Sequence, residues 1–591
     1  MIIVKIDYKR DELLDPYARR LLQEFYLLPN ESSPQDAFAR AAVAFCGGDS
    51  GLAQRINDGT SRRWGRYSSP ILSNAPVGYG RVSKTMPISC FLQYVPNSLK
   101  GLIEHSAESR WLSVMGGGIG ACWSYVQSVG STLSSGAKHP GAAGFLHTHD
   151  ADVIAYRQGD TRRASYSAHQ SVRHPEHMSF IGMRRATGDV NRKNHNLHHA
   201  SIINDAFLDA IRHNKPWPFI DPRTGEHMGE LPAREVWNTI IETRFETGEP
   251  HIVQIDEANR HLNPWQKALG LEIHSSNLCT EIFEVTNEDL TAVCCLFSVN
   301  LETYDEWKDT TWVADITRYL DNVLQYFIDN APAVLSKAVA SATNERSIGI
   351  GAMGFSTLLQ KLGIPWESAM AVSLNRNIFK NIKDQALAES QKLAVERGEP
   401  PHLIGSGRRN ANLLAIAPNA NNSVILGVSP SIEPEIGVAY VRDTRVGTGI
   451  YKNKYFENLL IEKYPELNTS GFWKRIISNG GSLEGLDELP DEVKQVFKGA
   501  YDIDQHAVVS MARSRQEYVC QGQSVNLFFR SGASRAYLQS VHYSAFDPTL
   551  PFQPLKSLYY LRSEAGRETD NVTVQRQRAG IKSGECVSCE G

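Results

Sequence analysis

Apolar side chains recur at three- to four-residue spacing through residues 10–48. Leu13, Leu14, Tyr17, Leu21, Leu22 and Phe25 share one face, and a second amphipathic stretch follows Pro34. This predicts a helical region over residues 1–75. From about Ser69 the pattern becomes mixed. Short apolar runs bounded by Gly, Pro and Asn alternate with longer helical ones at 231–247, 312–342 and 366–396, which predicts an α/β sheet or barrel over residues 76–561. Two glycine clusters, Gly116-Gly117-Gly118-Ile119-Gly120 and Ile348 to Gly354, read as tight turns, and neither fits a dinucleotide-binding fingerprint. Past Arg562 the apolar period vanishes, so residues 562–591 are expected to form a loose tail.

The chain has 591 residues, 41% apolar and 21% charged, with a formal net charge of -4. That composition belongs to an ordinary globular protein, and a balanced charge disfavours a dedicated binder of nucleic acid or anionic membrane. No apolar run approaches the roughly 18 residues that span a bilayer. The N-terminus, Met1 to Asp7, turns charged too early for a signal peptide. A soluble intracellular enzyme is expected, placed in the cytoplasm of a cell, or of a host if a virus encodes it.

Nine cysteines are too few for a disulfide scaffold. Cys46, Cys122 and Cys520 lie in apolar surroundings and read as small buried hydrophobes. The terminal Cys586-Val-Ser-Cys589 lacks a second ligand pair nearby to complete a zinc site, and a Cys-x-x-Cys on a loose arm suits thiol–disulfide exchange. The 24 residues from Arg562 to Cys586 give it a reach of about 27 Å. Histidines at 169, 174, 177, 195, 198 and 199 lack carboxylates at helical metal spacing, so surface or effector-loop roles and no metal are expected. The central chemistry lies in His274-Ser275-Ser276-Asn277-Leu278-Cys279-Thr280-Glu281-Ile282. Read as an extended segment, it projects Asn277, Cys279 and Glu281 to one face, a polar cluster that is costly to bury without function. An exposed polar edge strand is the structural alternative. A cysteine-protease reading needs a histidine partner, and His274 falls on the opposite face.

The run Ser276 to Ile282 closely resembles the active-site loop of the large (α) subunit of class I ribonucleotide reductase. Four further segments match that family in order: Met86-Pro87-Ile88-Ser89-Cys90; Gly117-Gly118-Ile119-Gly120; Ala292-Val293-Cys294-Cys295-Leu296 with Asn300-Leu301; and Leu555 to Tyr560 before the terminal cysteines. The resemblance runs from about Ser69 to Gly591. It implies a ten-stranded α/β barrel of two parallel five-stranded halves, with an active-site finger loop near 275–285.

The resemblance also implies roles. Cys279 would carry a thiyl radical that abstracts the 3′ hydrogen of a ribonucleoside diphosphate, with Glu281 as general base and Asn277 holding the ribose hydroxyls. Cys90 and Cys294, the latter preferred over Cys295, would deliver two electrons. Cys586 and Cys589 would re-reduce the resulting disulfide and be regenerated by thioredoxin or glutaredoxin. Tyr559 and Tyr560 resemble the end of a radical relay from a metal-containing β subunit. Ser69, Ser89 and Gly118 match substrate-pocket positions, and Asn419, Ala420, Asn421, Asn422 and Ser423 occupy the phosphate loop, with asparagine where hydroxyls are usual.

A nucleotide effector, a dNTP or ATP, would bind at the interface of an α₂ homodimer, read by Arg162 and by Asn97, where the family often has Asp. Only 89 residues precede Cys90. An ATP-binding cone, and general shutdown by dATP through it, are therefore expected to be absent. The rival readings are an adenosylcobalamin-dependent (class II) reductase and, more remotely, a zinc-stapled interaction protein.

Overall fold

The computed structural model describes residues 2–133, 136–156, 164–185, 192–444 and 447–564. The lead-in forms helices where its caps dictate. Asp15 accepts the Ala18 N–H to open Pro16–Phe25, a Ser33/Asp36 capping box opens Pro34–Ala44, and Asp49 opens Ser50–Ser61. Their apolar faces, including Leu21, Leu22, Phe38 and Ile56, join the main core.

Five parallel strands lie side by side in chain order: Cys90–Tyr94, Gly118–Cys122, Tyr166–Ser171, His198–Ile203 and His251–Gln254. Ala292–Cys294 adds antiparallel to the first of them and Ser557–Leu558 to the last. Two residues beyond Cys294 the chain enters a second sheet. There Leu296–Asn300 pairs in parallel with Gly349–Met353, and Gly65–Tyr67 flanks it in antiparallel register. Single bridges, Ile350 to Leu414 and Ile416 to Gln523, continue that parallel half. Residues 276–282 contact both halves, so the two sheets curl around this segment as a barrel does around its filling. The first five-stranded half is a full ladder, whereas the second is regular only through Met353.

Four expectations change. Both glycine clusters are largely strands, Gly118–Cys122 and Gly349–Met353, because another backbone passes where side chains would stand. A Cβ on Gly120 would lie 2.2 Å from Ser276 O, and one on Gly351 would lie 2.9 Å from Ala415 O. The helix foreseen over 312–342 is two, Trp312–Asn330 and Ser336–Glu345, divided at Pro332, which has no N–H to continue the first. His169, His174, His177, His198 and His199 are buried, while His195 is exposed. The five buried ones lie on or beside the strands Tyr166–Ser171 and His198–Ile203. Cys46 and Cys122 are buried, but Cys520 is only half-buried, and its sulfur accepts the N–H groups of Leu413 and Leu414 at 3.2 and 3.3 Å. Among the described residues no helix is long and apolar enough to cross a membrane.

Candidate active site

Asn277 organises the finger. Its Oδ1 accepts the N–H groups of both Glu281 and Ile282 at 3.0 Å, while Thr280 N–H donates to Asn277 O at 3.2 Å. These bonds pinch Leu278-Cys279-Thr280 into a tight turn. The segment is therefore a looped tip, and the alternating-face argument does not apply. Asn277 and Glu281 meet because the loop closes on itself. Thr280 takes a left-handed backbone, φ 60, which is costly for a β-branched residue and is held by surrounding contacts. Ser557 Oγ donates to Thr280 O at 2.6 Å, Ser524 Oγ to Cys279 O at 2.7 Å, and Gly522 N–H to Glu281 O at 2.7 Å.

The second hydrogen-bonding end of Asn277, Nδ2, donates to Cys90 Sγ at 3.3 Å. Cys90 lies directly opposite Cys294 in the antiparallel pairing, so their side chains share a face. Neither forms a disulfide. Burial first, and then the neighbouring Cys90, push the Cys294 thiol well above its ordinary range. Cys295 turns the other way, its Sγ 3.8 Å from Leu320 O. Glu281 is fully enclosed. Burial, reinforced by Cys90, pushes its carboxyl up to about 8, against Asn277 and Ser524, which lower it. A carboxyl that is neutral at rest and loses its proton near neutral pH is matched to proton transfer.

Cys279 itself meets Tyr559, whose hydroxyl is 3.7 Å from the sulfur. Tyr560 packs on Tyr559 with ring centroids 4.3 Å apart. The backbone here is clamped by Arg244, which donates to Tyr559 O at 2.9 Å.

The remaining predicted residues are dispersed around this centre. A Cβ on Gly118 would sit 3.0 Å from Leu278 of the finger. Ser89, one residue before Cys90, is buried with its hydroxyl unpartnered. Ser69 opens a short helix, and its hydroxyl pairs with that of Tyr26 at 2.8 Å. Asn419 caps the helix Ala420–Leu426 in a left-handed conformation, its Oδ1 accepting from Ser298 at 2.9 Å. Ala420 and Asn421 form the first turn. Asn422 Nδ2 donates to Tyr67 O at 3.0 Å, and Ser423 Oγ donates to Ala420 O at 2.8 Å. Asn97 is half-buried, its Oδ1 accepting the Gln127 N–H at 2.7 Å, away from the finger in sequence and contacts. Arg162, Cys586 and Cys589 lie outside the described residues. Among the described residues no group of three or more His, Cys, Asp or Glu could hold a metal ion.

Several site residues escaped the sequence reading. Gly522, Ser524 and Ser557 hold the finger from segments more than 240 positions away, and nothing in their local pattern marks them. His198 and His251 contact the tyrosine pair, and Glu249 contacts His198. Glu433, in Ser429-Pro430-Ser431-Ile432-Glu433-Pro434, is buried, accepts from Asn526 at 2.6 Å and is pushed by burial up to about 7.

Three comparisons with known proteins bear on this geometry. The family model described as ribonucleotide reductase, barrel domain, matches residues 88–403 and 402–561. A frog virus 3 (isolate Goorha) protein, provisionally named a ribonucleoside-diphosphate reductase large subunit, is 46% identical over 97% of this chain and 98% of its own. The ribonucleoside-diphosphate reductase large subunit of invertebrate iridescent virus 3 is 37% identical over 100% of both chains. Among solved structures, the Actinobacillus ureae class Id ribonucleotide reductase alpha subunit superposes with a TM-score of 0.80 at 30% identity, covering 95% of this chain and 98% of that one.

Proposed function

The chain belongs to the ribonucleotide reductase family, as the large subunit of a class I ribonucleoside-diphosphate reductase, and on that premise we propose how its residues divide the reaction. The observation that carries the proposal is that one finger reaches two different kinds of partner: Cys279 meets a phenol, Tyr559, at 3.7 Å, and Asn277 meets Cys90 at 3.3 Å.

A radical on the Cys279 sulfur takes the 3′ hydrogen of the ribose. Glu281 removes the proton of the 3′ hydroxyl, and Asn277 orients the hydroxyls. The 2′ hydroxyl leaves as water while Cys90 and Cys294 give up two electrons and two protons and join as a disulfide. Cys586 and Cys589 restore that pair by exchange and are themselves reduced by thioredoxin or glutaredoxin. The radical arrives through Tyr560 and Tyr559 from a metal-containing β subunit. Main-chain N–H groups at Asn419 to Ser423, with Ser69, Ser89 and Gly118 nearby, hold the substrate's diphosphate and ribose. This reading is supported by the unpartnered buried Ser89 hydroxyl and by donors at a helix start.

A homodimer is supported by the helix Leu99–Val114, which leaves Leu99, Ile103 and Trp111 exposed on its surface. A dNTP or ATP bound beside it, read by Asn97 and Arg162, selects the substrate. The cytoplasm of a cell or a virus's host is the expected compartment.

The test is diphosphate reduction by the purified chain with a small dithiol and an effector panel, supplied with a metal-loaded β subunit or with adenosylcobalamin alone. Turnover is expected only with β; turnover with the cobalamin alone overturns the relay. Cys279→Ser is expected to abolish reduction with any reductant. Replacing Cys586 and Cys589 by Ser is expected to stop thioredoxin-driven turnover while sparing turnover with the small dithiol. Equal loss with both reductants would refute the shuttle.

A further inference from the structure

We propose that Arg66 supplies the positive charge that holds the substrate's diphosphate, acting from behind the loop at Asn419 to Ser423. This rests on the reading of that loop given above and adds to it a residue from a different part of the chain.

Arg66 is fully buried, yet its Nε, Nη1 and Nη2 all lack a hydrogen-bond acceptor. Among the described residues no carboxylate pairs with it, and the ionisable groups that act on it are two phenols, Tyr26 and Tyr67. Burial pulls the guanidinium down only to about 10, so it carries its charge at neutral pH. Its Cζ lies 4.2 Å over the ring of Phe38. An aromatic face attracts a cation, but far less than burying an unpaired charge costs. A cation kept in that state is matched to an anion that arrives from outside the chain.

The strand Gly65–Tyr67 places this cation beside the loop. Arg66 lies opposite Ser298 in the antiparallel pairing, so the two side chains share a face with Cβ atoms about 5 Å apart. Ser298 points at the loop, its Oγ donating to Asn419 Oδ1 at 2.9 Å. The next carbonyl, that of Tyr67, accepts Asn422 Nδ2 at 3.0 Å. Ser68, buried next to it, has an unpartnered hydroxyl, and the Ser69 hydroxyl pairs at 2.8 Å with Tyr26, one of the two phenols that act on Arg66.

The loop itself is short of side-chain donors. Asn419 Nδ2 donates to Ala352 O at 3.3 Å and to Ala417 O at 3.0 Å, and Asn422 Nδ2 is taken by Tyr67 O. No Lys or Arg occurs between residues 417 and 434. Main-chain N–H groups therefore remain for the diphosphate, and its negative charge is balanced from elsewhere. With no exposed surface, the guanidinium does not line the pocket. It acts through its field, which in a dry interior is felt over several ångströms and is poorly screened by salt.

The experiment uses the full chain with its metal-loaded β subunit, an effector and a small dithiol. Arg66→Met keeps an unbranched side chain against Phe38 and removes the charge. The KM for the nucleoside diphosphate is expected to rise about tenfold or more, with kcat at saturation changed less than about twofold. The same ratio of KM values is expected at low and at high salt. Inorganic pyrophosphate is expected to raise the melting midpoint of the wild type and not that of Arg66→Met. Without pyrophosphate the variant is expected to melt no lower than the wild type, because an uncompensated buried charge has gone. A purely structural role predicts the reverse, a lower midpoint with an unchanged KM, and that result overturns the proposal. Arg66→Lys keeps the charge and is expected to stay within about threefold of the wild-type KM; a lysine variant as impaired as the methionine one is equally fatal. If Arg66→Met fails to fold, Arg66→Gln is read by the same KM and pyrophosphate assays. Asn421→Asp, which sets a negative charge in the loop, separates the two levels. An unchanged KM in Asn421→Asp, with no effect of pyrophosphate on the wild type, defeats the loop reading itself. A raised KM there beside an unchanged KM in Arg66→Met defeats only the role of Arg66.

Discussion

At the residue scale the site is governed by burial. Glu281 is fully buried, so its neutral form is favoured up to about pH 8 in the folded chain, against an ordinary value of 4.5. The sign follows directly. Between these two values the folded chain holds a proton that the unfolded chain has released, so stability falls as pH rises, by about 1.4 kcal/mol per pH unit. The contribution is intact below pH 4.5 and gone once pH passes the folded value. Glu281→Gln is expected to flatten this slope in denaturant melts from pH 5 to 8 while lowering kcat by about a hundredfold. A variant that kept the wild-type slope would show that the buried charge lies elsewhere. The residue types at the centre were legible before any coordinates, because the order Asn277, Cys279, Glu281, with Cys90 and Cys294 flanking, carries a family pattern. Their supports were not. Ser524 meets Cys279 across 245 positions, and a serine in a polar run says nothing about what it will touch.

At the element scale the lesson is how the finger is held. Helices announced themselves through caps and a 3.6-residue period, and the lead-in, 231–247 and 366–396 appear close to where the period predicts. The glycine-rich strands did not, since glycine in a sequence speaks first for a turn. Here Gly120 is glycine because the finger's backbone lies against it. Gly120→Ala is expected to displace Ser276 and Asn277, destabilise the chain by about 1–3 kcal/mol and abolish turnover, checked by melting and by diphosphate reduction. The finger's own geometry is also not legible from alternation along the chain. An extended segment would have put Asn277 and Glu281 on one face, but the real cause of their meeting is a turn whose tip includes a threonine at φ 60. Thr280→Gly relieves that backbone cost and gives the unfolded chain more freedom, so stability is expected to change by less than about 1 kcal/mol. Its kcat is expected to fall because the tip is less firmly fixed, measured alongside an unchanged melting midpoint.

At the scale of the whole molecule, the Cys90–Cys294 pair marks the place where one sheet hands the chain to the other. A bond there closes a loop of roughly 200 residues, for which chain entropy alone gives about 5 kcal/mol of stabilisation. The oxidised chain is therefore expected to melt several degrees above the reduced one, and the difference is expected to vanish in Cys294→Ser; calorimetry under the two redox conditions checks it. Linkage makes the same quantity work in the other direction. Whatever the cross-link contributes to the fold, the fold contributes to the cross-link, so this disulfide is harder to reduce than one formed in the unfolded chain, by roughly 100 mV for a two-electron couple. The seam that brings the two thiols together thus sets a floor on the reducing strength of any dithiol that serves the enzyme. A weaker donor would leave the barrel fastened shut after a single turnover.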